Sequence, residues 1–144
     1  MGYSDVIKHA NEIQVTDALE TTGDKLVLGF ERPATILGFG MTVVTSGIVG
    51  GRTTAFQIAL DHDPASGARV EKAVLAPGAG ALALGSNFEV SDLKRGTSPA
   101  APNAVMTPFD VVEGDLVFVE VATAGSETTG EAVFYILWAP KGSA

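Results

Sequence analysis

A chain of 144 residues, 46% of them hydrophobic, with no cysteine and a formal charge of −8, fits one domain around a single core. The missing cysteines exclude disulfides and thiolate-held zinc or iron–sulfur centres, and nine Lys/Arg scattered from Lys8 to Lys141 form no stripe that neutralises a phosphate backbone. Composition therefore predicts an acidic, soluble protein held by burial and backbone pairing, with nucleic acid excluded as a partner.

The N-terminal stretch MGYSDVIKHANE is polar and mixed in charge, without the apolar centre of a signal peptide, and no later run is apolar for the length of a membrane span. Its resemblance to a myristoylation start fails at Val6, where Ser or Thr is required. Ser4 is a candidate N-cap for one short turn over residues 4–11, but residues 1–12 as a whole read as an arm outside the core.

Strands follow. Residues 25–31 point Leu26, Leu28 and Phe30 one way, and residues 35–45 are rich in Val, Thr and Ile, with Arg32-Pro33 as the break between them. SGIVGGRTT, residues 46–54, resembles a phosphate loop, but Ser46 stands where the first glycine belongs and Arg52 where lysine belongs. A strand follows it instead of a helix, so a hairpin loop is expected. Residues 53–60 alternate Phe56, Ile58 and Leu60 with Ala55, Gln57 and Ala59, the period of a half-buried strand.

LDHDPASGAR, residues 60–69, then sets His62 between Asp61 and Asp63. If the strand ran on, the two aspartates would share a face and His62 would take the other, and His9, the remaining histidine, is far off in sequence. Three convergent metal ligands are not evident, and Asp, Pro, Ser and Gly are each turn formers, so a solvated turn is the expectation and a metal site the lesser alternative. On that reading none of the three residues is catalytic, and His62→Ala changes stability by about 0.5 kcal/mol at most.

Residues 69–75 form another strand, and residues 76–108 read as a long Ala/Gly/Pro-rich loop around the NFEVSDL island, with one or two short strands. Residues 115–123 and 131–139 are the two best strands, joined by a loop over 124–130 with glycines near both ends, so a C-terminal hairpin is predicted. Both of its faces are apolar. The chain's own arm and middle loop would cover the second face, or a neighbouring subunit would.

Catalytic patterns are sparse. No G-x-S-x-G surrounds any serine, the two histidines have no spacing that links them to a nucleophile, and the cupin pattern of His-x-His with Glu and a further His is missing. Glu113 and Asp115 flank Gly114 in VVEGDLV, a solvent-facing turn before a strand, although glycosidase carboxylate pairs are spatial and stay open. Trp138 reads as a core or interface residue, with a sugar platform as the other reading. The expectation is no enzyme, no cofactor, and no catalytic or metal residue. The fold class is all-β: a single antiparallel β-sandwich or jelly roll over residues 1–144, with an N-terminal arm and a long middle loop.

PFDVVEGDLVFVEVATAGSETTGEAVFYILWAP, residues 108–140, resembles the C-terminal hairpin of small head-decoration (cement) proteins of tailed bacteriophages and related β-sandwich virion proteins. FERPATILGFGMTVVTSG, residues 30–47, is similar to their early segment, and the two stretches cover about a third of the chain. The long Ala/Gly/Pro middle departs from many such proteins. The resemblance implies a protein made in the host cytoplasm that sits on the outer surface of the capsid as a homotrimer and clamps neighbouring major capsid subunits. The residues then expected at the subunit interface are Val117, Val119, Val121, Tyr135 and Trp138, and those expected at the capsid are Tyr3, Val6 and Ile7. The alternative is a carbohydrate- or receptor-binding virion component, marked by exposed aromatics in a groove.

Overall fold

The computed structural model describes residues 11–19, 21–45, 56–78, 84–91, 106–123 and 130–141. Among them there are nine strands and no helix: β1 (Asn11–Ala18), β2 (Gly23–Gly29), β3 (Ala34–Val43), β4 (Phe56–Asp63), β5 (Val70–Gly78), β6 (Asn87–Ser91), β7 (Phe109–Val111), β8 (Leu116–Thr123) and β9 (Glu131–Pro140). They form two antiparallel sheets, one ordered β1-β9-β3-β6 with the short β7 beside β3, the other ordered β2-β8-β4-β5.

That order defines the architecture. With β7 set aside, the eight other strands of the described residues pair first with last (β1 with β9), second with seventh (β2 with β8), third with sixth (β3 with β6) and fourth with fifth (β4 with β5). A long double ribbon with β4 and β5 at its tip has been rolled until β9 meets β3 and β8 meets β4. This is a jelly roll, and of the two expected forms of sandwich it is the one adopted.

The core lies between the sheets. Leu26 and Leu28 of β2, Ile58 and Leu60 of β4, and Val117, Val119 and Val121 of β8 face Ile36, Phe39, Met41 and Val43 of β3 and Phe134, Ile136 and Trp138 of β9. Alternation produces this directly, because successive side chains on a strand point to opposite faces.

Several expectations change. β8 and β9 are not a hairpin: rolling the ribbon puts them in opposite sheets. Val117, Val119 and Val121 are core residues with at most 1% exposure, so they are out of reach of a neighbouring chain. Tyr135 is buried on the outer face of its sheet, and Trp138 is half-buried at the end of the core. The arm is shorter than residues 1–12, since Asn11 and Glu12 pair with Trp138 and Leu137 as the start of β1. The expected turn over 4–11 likewise loses Asn11 to that strand, while residues 4–10 and the expected capsid contacts Tyr3, Val6 and Ile7 lie outside the described residues. The middle loop over 76–108 gives up its start to β5, which runs to Gly78, while β6 at Asn87–Ser91 is the short strand expected at the NFEVSDL island.

Close approach between strands explains one glycine. At a single level of the first sheet, Tyr135 of β9 is opposite Gly40 of β3, which is opposite Glu89 of β6. With no side chain at Gly40, the tyrosine lies across β3 and its hydroxyl donates to Glu89 Oε1 at 2.9 Å, while Asn87 Nδ2 donates to the same hydroxyl at 2.9 Å. A Cβ at Gly40 would sit 2.6 Å from the tyrosine hydroxyl oxygen and collide with the backbone carbonyl of Phe88. Gly40→Ala is therefore expected to lower stability by about 2–3 kcal/mol through overpacking. Urea unfolding reads this as a lower midpoint, and an unchanged midpoint would show that β3 and β6 have room to part.

Candidate functional site

Three groups of side chains stand out, two of them grown from the DHD stretch. β4 does not stop at Leu60 but runs through Asp63, and the turn begins at Pro64, whose carbonyl accepts from the Gly67 N–H at 3.1 Å. The solvated-turn reading is thus corrected for the triplet itself. As strand residues, Asp61 and His62 take opposite faces, Asp61 outward beside Phe118 and His62 on the core side level with Val117.

His62 belongs to a latch at one end of the sandwich. Its Nε2 donates to Asp115 Oδ2 at 2.9 Å, and its ring packs on Phe109 with centroids 5.2 Å apart. Asp115 also accepts from the Ala65 N–H on Oδ1 and from the Val112 N–H on Oδ2, both at 3.0 Å. Gly114, at φ +92°, makes the turn that aims this aspartate inward, so the residue expected to face solvent is buried. Burial alone would raise the Asp115 pKa, but the bonds from Ala65, His62 and Val112 together outweigh it and hold the carboxyl below its ordinary value. The latch joins the β4–β5 turn to the β7–β8 turn. Its acceptor is saturated by structural donors, and its role is to hold the fold.

The second group lies on the outer face of the second sheet. Across β2, β8, β4 and β5 one row reads Val27, Phe118, Asp61, Glu71, and the neighbouring level adds Asp24 opposite Glu120. Arg69 lies over the Phe118 ring, 4.1 Å from its centroid, and reaches Asp24 Oδ1 at 2.6 Å and Asp61 Oδ2 at 2.7 Å through Nη2. The bond to Asp24, then the one to Asp61, raise the already high pKa of the guanidinium against the cost of its desolvation. Asp24, Asp61 and Glu120 thus share one cation, with Glu71 beside Asp61 on the next strand. Burial first, and the facing Asp61 second, push Glu120 up to about 7. Asp61 Oδ1 is buried and has no donor, since what faces it is another carboxyl group, which has a proton to give only when neutral.

The third group is an open pocket of about 440 Å³ lined by Gly29, Phe30, Glu31, Arg32, Pro33, Trp138 and Pro140. Phe30 and Trp138 meet edge to face, with centroids 5.7 Å apart. Here Trp138 is both core and wall: it caps the hydrophobic cluster and shows part of its ring to the pocket.

No family model and no curated protein matches the chain. Among solved structures, one described as the structure of infectious bursal disease virus Gx strain is similar at a TM-score of 0.31 and 10% identity, over 94% of this chain and 32% of that one. The chain spans about a third of the length of that structure, and a likeness this loose assigns neither fold nor function. The jelly roll stands on the strand pairing alone.

Of the residues expected to carry function, the structure brings Tyr135 together with Glu89 and Asn87, and Trp138 together with Phe30. It separates Tyr135, on the outer face of its sheet, from the valines of β8, which belong to the other sheet and face the core, whereas Trp138 packs against the end of that same core. The carboxylate cluster was not legible in the sequence. Asp24, Asp61, Glu71 and Glu120 come from four strands, and only the sheet order makes them neighbours.

Proposed function

We propose that the chain is a structural virion protein, a jelly roll that seats on the outside of a tailed-phage head as a homotrimer and clamps neighbouring major capsid subunits, with a binding role and no catalytic one. The observation that carries this reading is the strand order, because double-sheet jelly rolls are a common architecture of viral capsid domains and the sequence resemblance points to virion proteins independently. Fold-level analogy is the warrant, since one fold hosts many functions. The self-contact then moves from the buried valines to the outer face of the second sheet. There Val27 is 48% exposed and Leu116 36% exposed, on either side of Phe118.

Light scattering of the purified chain tests the trimer. The expected mass is three times that of the subunit, falling to one subunit in a Val27→Asp, Leu116→Asp double variant whose circular dichroism is unchanged. A wild-type monomer at micromolar concentration, or a double variant that remains trimeric, contradicts this assignment of the surface.

A carbohydrate- or receptor-binding component is the second reading, favoured by the Phe30–Trp138 pocket with Glu31 and Arg32 at its wall. An aromatic face beside hydrogen-bonding groups is what sugar recognition uses. Glycan-array binding that disappears in Arg32→Ala, with the fold retained, would favour this reading over the first.

A further inference from the structure

We propose that the outer face of the second sheet holds a divalent metal site for a hard, oxygen-preferring cation such as calcium, built from Asp61, Glu71 and Glu120. One oxygen from each of these residues lies within 4.8 Å of the others, a spacing that a single ion with bonds of about 2.4 Å can bridge. The ligands come from three adjacent strands, β4, β5 and β8, so the sheet itself fixes their separation.

Spacing alone does not distinguish a site from a cluster of acids. The independent observation is Asp61, whose side chain is 7% exposed and whose two oxygens differ. Oδ2 is taken up by Arg69, through Nε at 2.9 Å and Nη2 at 2.7 Å. Oδ1 is buried without a donor, on a residue whose other oxygen already neutralises the only cation in contact with it among the described residues. A buried carboxylate oxygen left in that state is costly, and buried charges are ordinarily paired or bound to metal.

The surrounding charges agree. Asp24 on β2 engages Arg69 through both of its oxygens, with Nη2 to Oδ1 at 2.6 Å and Nη1 to Oδ2 at 3.2 Å. Glu120 is 3.8 Å from the same guanidinium, and Glu71 is exposed on the edge strand, where an ion can enter from solvent. Arg69 therefore spends most of its charge on Asp24 and Asp61, leaving Glu71 and Glu120 to a second cation. Three carboxylates and no nitrogen or sulfur ligand suit calcium better than zinc or copper.

Calorimetric titration of calcium chloride into the chelator-stripped full chain at pH 7.5 is the test, with melting temperature as a second readout. One calcium per chain is expected, and at about a hundred times Kd a rise in melting temperature of about 5–10 °C. Asp61→Asn and, separately, Glu71→Gln should weaken calcium binding at least tenfold. Glu71 is exposed, so its variant keeps the fold if Asp61→Asn does not. No calcium heat in the wild-type chain, a melting shift matched by sodium chloride at equal ionic strength, or full binding in a folded Asp61→Asn or Glu71→Gln chain would overturn the site.

Discussion

Val119→Asp is expected to leave the chain unfolded at 25 °C, an effect larger than any surface substitution can have. Val119 is wholly buried, between Leu26 of β2 and Leu60 of β4 on the core face of the second sheet. A carboxylate there either loses its hydration without a partner or takes up a proton at a raised pKa, and either route costs several kcal/mol. A domain of this size has about 5–15 kcal/mol in total, and the lost packing adds to the charge penalty. The informative contrast is Leu116→Asp, three residues earlier on β8 but on the outward face, which should stay within about 1 kcal/mol of the parent. Far-UV circular dichroism and urea unfolding of the pair decide it. A folded Val119→Asp chain that merely fails to associate would restore β8 as an interface strand and break its register with β2 and β4.

Asp115→Ala should cost about 3–5 kcal/mol and lower the melting temperature by about 10 °C. Removing the carboxylate strands three donors at once, the Ala65 and Val112 amides and the His62 imidazole, at a place where water does not readily replace it. His62→Ala takes away one donor of the three and some packing on Phe109, so about 1–2 kcal/mol is expected, more than a solvated turn residue would give.

The same latch sets an acid limit. Because the folded pKa of Asp115 lies below its ordinary value of 3.8, its contribution is present in full above that value and is lost as pH falls through the folded one. Stability measured from pH 6 down to 2 should therefore fall less steeply in Asp115→Asn than in the parent. Parallel acid limbs would show that the carboxylate is not what the latch depends on.

How far the sequence led depends on whether the information was local. β2, β3, β4, β5, β8 and β9 announce themselves through alternation and through breaks such as Arg32-Pro33. Ile13 and Val15 alternate with Gln14 and Thr16 in the same way, but the run is short, and the polar start of β1, Asn11 and Glu12, reads as the end of the arm. The three residues of β7 are too few for any period to show. The doubly apolar character of residues 116–137 is a true signal with a different cause. β8 hides its valines in the core and shows Leu116 outside, whereas β9, central in the other sheet, also buries Tyr135 and Leu137 on its outer face. A short connection suggests a hairpin, and only the pairing of chain ends across the roll reveals that these strands belong to opposite sheets.

The site residues follow the same division. The turn at Pro64–Gly67 is encoded by its own residues, as expected of Pro, Ser and Gly. What Asp61, His62 and Asp115 do is set by partners far along the chain: Asp61 meets Glu120, and His62 meets Asp115 across 53 positions. No short window of the sequence contains both members of either pair.

The proposed role, a jelly roll that serves by binding a capsid, is tested most directly by sedimenting the purified chain with undecorated heads of a tailed phage whose genome carries its gene. Saturable co-sedimentation with three copies per occupied site, weakened in the Val27→Asp, Leu116→Asp chain, is the predicted result. A chain that stays in the supernatant at concentrations where it is folded would contradict the claim.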